Sequence, residues 1–168
     1  MSRLLVVILI LGLTILIVSC DKGIEPVDGL SAFSGKITFN GAWPQEIKRT
    51  HLVVFREPIK SVNDFSASNL SFVLDSIPYG AKEFNYNSGE MQFNPLFSIK
   101  PGSHKYVVVA QSKTPELTLN RIDWTVVGVY SELGNPAKPK PLIINTGKTT
   151  TGVDITVNFQ SLPPQPPM

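Results

Sequence analysis

With one cysteine and two histidines, this 168-residue chain has few of the side chains that do chemistry. A lone thiol cannot form an intrachain disulfide, so the fold must rest on packing. Lys and Arg number 15 against 13 Asp and Glu, scattered rather than gathered into the basic face that nucleic acid requires. His51 and His104 stand apart, with no His-x-x-x-His pair or carboxylate cluster beside them. No metal site or cofactor is therefore expected, and both read as surface residues hydrogen-bonded locally. There is no Gly-x-Ser-x-Gly turn to hold a nucleophile and no glycine-rich phosphate loop. The catalytic residues expected are none, and the chain reads as no enzyme. Its length allows one domain with a proper core and is too short for two comfortable ones.

Long apolar runs are also missing, apart from the first. Residues 4–18 are Leu, Ile and Val, broken by Gly12 and Thr14, with Arg3 before them and Ser19-Cys20 after. A positive start, a short apolar run and a small residue describe an export signal. A permanent membrane span needs about 20 apolar residues, which makes this run marginal as one. Its end, "IVSC", resembles the lipobox of bacterial lipoproteins, with Ile17 as the aliphatic residue and Ser19 as the small one. That resemblance implies a diacylglyceryl thioether on Cys20, cleavage after residue 19 and acylation of the new amine. One acyl chain holds a protein to a bilayer only marginally, whereas two or more hold it stably. The expected organisation is a signal peptide over residues 1–19, a lipidated Cys20 with a tether to residue 30, a domain over 31–160 and a Pro-rich tail over 161–168. The expected location is the bacterial cell envelope, membrane-anchored on the periplasmic or surface side. An uncleaved anchor with an incidental cysteine is the alternative. Removing Arg3 with the signal takes Lys plus Arg from 15 to 14 against 13 acids, so the remainder is nearly neutral.

After residue 30 come short runs of Val, Ile, Phe, Tyr and Thr separated by Gly, Pro, Asn and Ser, the signature of antiparallel strands. "SGKITFNG" alternates, with Gly35, Ile37 and Phe39 on one side. "HLVVFREP" and "LSFVLDSIP" are the next strands, with residues 59–69 a polar loop or short helical turn between them. "KEFNYN" follows. "LFSIKPGSHKYVVVAQS" reads as two strands joined at Pro101-Gly102. "RIDWTVVGVYS" is apolar on both faces, which predicts a central, well-covered strand. "PLIINTG" and "GVDITVNF" form a last pair, and the tail cannot join a ladder because proline lacks the donor. The prediction is an all-β fold, an antiparallel two-sheet β-sandwich of about seven to nine strands, with an up-and-down barrel as the alternative.

The strand order "SGKITFNG", "LVVFREP", "FSIKPGSHKYVVVA", "WTVVGVY", "GVDITVNF" resembles the carboxypeptidase regulatory-like domain of the transthyretin-like (prealbumin-like) β-sandwich group. Its central mark is carried by Phe97, Ile99, Pro101, Gly102, Tyr106, Val107, Val108 and Val109, and the likeness spans residues 31–160. The turn is longer here than the family's Pro-Gly-x-Tyr, because Ser103-His104-Lys105 intervene. The resemblance implies an accessory or protein-interaction module with an envelope partner. It also implies a likeness in fold to starch-binding domains, and transfers no catalytic residue. A carbohydrate-binding alternative would use Trp43, Tyr79, Tyr86 and Tyr130, flat aromatic faces in loops or at strand ends suited to stacking on a polysaccharide. For Trp43 the competing reading is a lid over one open end of the domain. Trp124 is expected in the core.

Overall fold

A computed structural model describes residues 29–74, 77–90 and 99–168. The apolar run, Cys20 and most of the tether lie outside the described residues. No helix among the described residues is long and apolar enough to cross a membrane. The chain is all-β. Its strands are β1 (Ala32–Asn40), β2 (Arg49–Phe55), β3 (Leu70–Leu74), β4 (Glu83–Asn87), β5 (Gly102–His104), β6 (Tyr106–Ser112), β7 (Trp124–Val129), β8 (Leu142–Ile144), β9 (Thr149–Thr150) and β10 (Ile155–Asn158). The helical segments among the described residues are short 3-10 turns.

Two sheets, neither closed into a barrel, share one core. The first runs β10-β1-β4, with β9 also beside β1; the second runs β3-β2-β6-β7; β5 and β8 form a small ladder of their own. The alternation in β1 places Phe33, Ile37 and Phe39 inward, while Lys36 turns outward to pair with Glu83 at 3.1 Å. Leu52 and Val54 of β2, Phe72 of β3, Val107 and Val109 of β6, and Ile155 and Val157 of β10 meet them from both sheets. Phe33 packs edge-on against Phe72 with ring centroids 5.0 Å apart.

Two glycines permit close approaches that any other residue would block. A Cβ on Gly128 would lie 2.8 Å from the Val157 side chain, so β7 and β10 touch through a residue without one. A Cβ on Gly35 would lie 2.2 Å from the Val153 carbonyl oxygen, where the chain between β9 and β10 swings across β1. In that gap the Asp154 carboxylate accepts the Lys36 backbone N–H at 2.8 Å, replacing a missing rung of the ladder.

Several sequence expectations are corrected. The first sheet is mixed rather than antiparallel, since β9 and β10 both run parallel to β1. Residues 142–144 and 155–158 do not pair with each other: β8 joins β5 and β10 joins β1. Pro101-Gly102 is no hairpin turn into β6, because Gly102 itself begins β5. The doubly apolar β7 stands at a sheet edge, with β6 as its one neighbouring strand among the described residues. A register shift at Val109/Ala110 leaves Val127 as an extra residue, which reverses the facing of the residues beyond it. Val127 joins the shared core while Val129 lies on the outer face. The histidines are buried. The Nδ1 of His51 lies 3.2 Å from the Leu74 carbonyl, and His104 spans Ser71 Oγ (3.0 Å) and the Lys100 carbonyl (2.9 Å).

Candidate functional site

The second sheet is apolar on both faces. Its inner face belongs to the shared core. Its outer face presents Val53 and Phe55 of β2, Tyr106 and Val108 of β6, and Val126 of β7, packed with Leu70 and Val73 of β3. Registers bring these together: Val53 is opposite both Val73 and Val108, and Phe55 is opposite Tyr106.

Two loops border this face. One follows β2 and carries Ile59 and Phe65. Its 3-10 turn at Val62–Asp64 is held by the Asp64 carboxylate, which accepts the backbone N–H groups of Lys60 (2.9 Å) and Ser61 (2.8 Å) and the Ser61 hydroxyl (3.0 Å). The Lys60 bond is the largest of the influences that lower this carboxyl's pKa from its ordinary value. The other loop precedes β7 and carries Leu117, Thr118, Leu119 and Arg121. Trp124 ties it down by donating its indole N–H to the Thr118 carbonyl at 3.0 Å, and Thr118 donates its hydroxyl to Asp123 at 2.7 Å.

The loops do not seal the face. Between them lies an apolar pocket of about 290 Å³ whose floor is the sheet and whose rim includes Leu117 and Leu119, 56% and 59% exposed. Its polar lining is sparse: His51, Ser66, Thr118 and Arg121. The His51 ring stands edge-on to Trp124, with centroids 5.2 Å apart.

The tail closes one side of this region. Gln165 accepts the Val126 N–H through Oε1 at 2.9 Å and donates through Nε2 to the Val126 carbonyl at 2.8 Å. Residues 161–168 therefore dock on the edge of β7. The missing proline donors are supplied by one glutamine side chain.

Of the four aromatics proposed for sugar stacking, Trp43 and Tyr79 come together, with ring centroids 5.3 Å apart, and Tyr86 and Tyr130 lie in the core. Trp43 is half-buried, in contact with Phe39, Phe159 and Tyr79, with its indole N–H donated to the Ala81 carbonyl at 3.0 Å. It covers one end of the shared core. Tyr79 lies beside it, 57% exposed, its hydroxyl donated to the Pro44 carbonyl at 3.2 Å. Tyr86 and Tyr130 are buried in the core, so neither offers a ring face to a sugar. Tyr86 donates its hydroxyl to the Val153 carbonyl at 2.5 Å, and the Lys140 ammonium lies 5.3 Å from the Tyr130 ring centroid. Trp124 is buried as expected, on the outer face of the sheet rather than between the sheets. Among the described residues no three His, Cys, Asp or Glu side chains gather in reach of one ion.

Sequence reasoning missed His51 and Arg121 as pocket residues. A signal was present. "LVVF", "VVVA" and "VVGV" are unbroken apolar runs, and a strand with one wet face alternates. Three such runs in one sheet imply cover on both faces. Comparison with family models, with curated proteins and with solved structures finds no match.

Proposed function

We propose that this chain is a lipid-anchored, non-catalytic binding module of the bacterial envelope: a prealbumin-like β-sandwich, tethered through Cys20, whose binding element is the apolar pocket on the outer face of the β3-β2-β6-β7 sheet. The anchor is supported by the position of the one cysteine, directly after an apolar run and a small residue. The observation that carries the binding reading is the pocket itself. Protein interiors pack without voids much larger than a water molecule. Here two loops rich in large apolar side chains border a sheet face and still leave about 290 Å³ between them. Concave, chiefly apolar sites with a few polar groups are what small-ligand binding uses. Accessory and interaction roles fit the same module, with the ligand or an envelope partner as its client.

The test uses the neutral, polarity-sensitive dye N-phenyl-1-naphthylamine with the full chain held in an amphipathic polymer. The expected result is saturable binding of one dye per chain, above the signal from polymer alone. Ala110 lines the pocket on β6. Ala110→Phe should fill it and abolish the binding while the near-UV circular dichroism persists. Undiminished binding in Ala110→Phe would overturn the pocket as the binding element.

A further inference from the structure

The polar residues in the pocket wall bond to the protein rather than to the cavity. Thr118 donates its hydroxyl to Asp123 at 2.7 Å, and the Trp124 indole N–H goes to the Thr118 carbonyl at 3.0 Å. The Ser66 hydroxyl lies 3.0 Å from that of Ser68, and Nδ1 of His51 lies 3.2 Å from the Leu74 carbonyl. Arg121 donates through Nη1 to the Trp124 carbonyl and through Nη2 to the Pro166 carbonyl, the latter at 3.0 Å. Its Nε is buried, closed to an oxygen-sized atom, and among the described residues no carboxylate pairs with it. The surface left to the cavity is hydrocarbon, with Val53, Phe55, Val108 and Val126 from the sheet and Ile59 and Phe65 from the loop after β2.

A polar group moved from water into such surroundings loses its hydrogen bonds and finds no replacement, which is costly. Any oxygen or nitrogen that a ligand carried into this cavity would meet that cost. A ligand that travels in water nevertheless carries a polar group somewhere. An elongated amphiphile satisfies both demands: its tail enters first, and its head stays in water beyond the rim, where Leu117 and Leu119 are exposed.

We infer that the pocket takes the tail of a straight-chain amphiphile, methyl end first, and that it rejects polar atoms at that end without choosing among headgroups. This rests on the pocket being the binding element. The length follows from volume. An apolar cavity of about 150 Å³ takes one benzene, which has six heavy atoms, so about twice that volume takes a chain of about ten to twelve carbons. The chain belongs to a separate amphiphile rather than to the anchor at Cys20. The tether enters at β1, in the opposite sheet, and an anchor whose acyl chains leave the bilayer loses its stable hold.

The experiment displaces the dye from the full chain, in the same polymer and corrected for polymer alone, with 1-decanol, decanoate, decyltrimethylammonium and 1,10-decanediol. The first three keep their heads in water and are expected to agree within about fivefold, whereas the diol must bury a hydroxyl and is expected to bind about 10- to 100-fold more weakly than decanol. Displacement by decanol should disappear with the dye signal in Ala110→Phe. Diol binding as tight as decanol's would overturn tail-first entry and leave the pocket standing, and that comparison needs no variant to fold. A preference of more than about tenfold for one of the three headgroups would overturn the indifference to heads, since it would mean that a polar contact reaches the ligand. Failure of the dye and all four ligands, with the lipidated chain and with Cys20→Ala alike, would remove the binding reading itself. Binding to Cys20→Ala but not to the lipidated chain would show the chain's own acyl group as the occupant, and would overturn a separate amphiphile as the ligand.

Discussion

Tyr86 of β4 and Tyr106 of β6 are buried, and burial keeps their hydroxyls protonated. Burial pushes the Tyr106 phenol up to about 12, and it pushes Tyr86, whose hydroxyl bonds to Val153, up further still. In the unfolded chain both ionise near 10. Above that pH the unfolded state loses protons that the folded state keeps, so stability must fall as pH rises. The contribution of Tyr106 is fully present below about 10 and is lost as pH climbs toward 12, at most about 3 kcal/mol. Thermal melts between pH 8 and pH 11.5 should show a declining midpoint, and Tyr106→Phe should flatten part of the decline. A variant whose midpoint falls as steeply as the parent's would show that this phenol is not the source. At this scale the sequence was a partial guide. The burial of Trp124 was legible from its strand. The burial of His51 and His104 was not, because a histidine in a strand reads the same whether its ring meets water or a carbonyl.

At the scale of elements, the least expected piece is the tail. Proline excludes residues 161–168 from a regular ladder, and no propensity rule places them against a strand. The side-chain amide of Gln165 sets its oxygen and one of its two N–H donors at the spacing of a peptide unit, so it serves as a single rung on the β7 edge, while the other N–H donates to the Pro163 carbonyl at 2.9 Å. That edge would otherwise present unpaired backbone groups to any passing strand. Gln165→Leu removes both rung bonds and the bond to Pro163, and should cost about 1–3 kcal/mol. Hydrogen exchange should quicken at the Val126 amide and stay slow at Val108, whose strand has neighbours on both sides. Unchanged protection at Val126 would mean the tail does not guard the edge. The reversal of facing along β7 belongs to this scale too. Strict alternation put Val127 and Val129 on one face, and the bulge at Val127 put them on opposite faces. A bulge arises from pairing with β6, which the sequence of β7 alone does not contain.

For the whole molecule, the lipid anchor is the claim with the widest reach. Radiolabelled palmitate supplied to expressing bacteria should label the chain and fail to label Cys20→Ala. Equal labelling of the two would overturn Cys20 as the acylated residue. Fold class was readable along the chain after residue 30. Short β-branched and aromatic runs between Gly, Pro and Asn left no route to a helical core, and the described residues are all-β. Strand partnership was not readable. The pairing of β5 with β8 and the parallel course of β9 and β10 beside β1 depend on which segments meet after long excursions.

By itself the sequence determined that the described domain is built of strands and which residues of β1 and β10 face inward. Those follow from local chemistry: side-chain shape and the two-residue period. Only the tertiary structure decided that the doubly apolar sheet keeps an open pocket on its outer face, that Arg121 lies in the pocket wall without a counter-charge, and that Gln165 closes the edge beside it. The reason is that burial, and the cost of a charge within it, depend on what surrounds a residue in space. Residues 59–69, 117–121 and 161–168 are far apart along the chain and become neighbours only when the sheet brings them together.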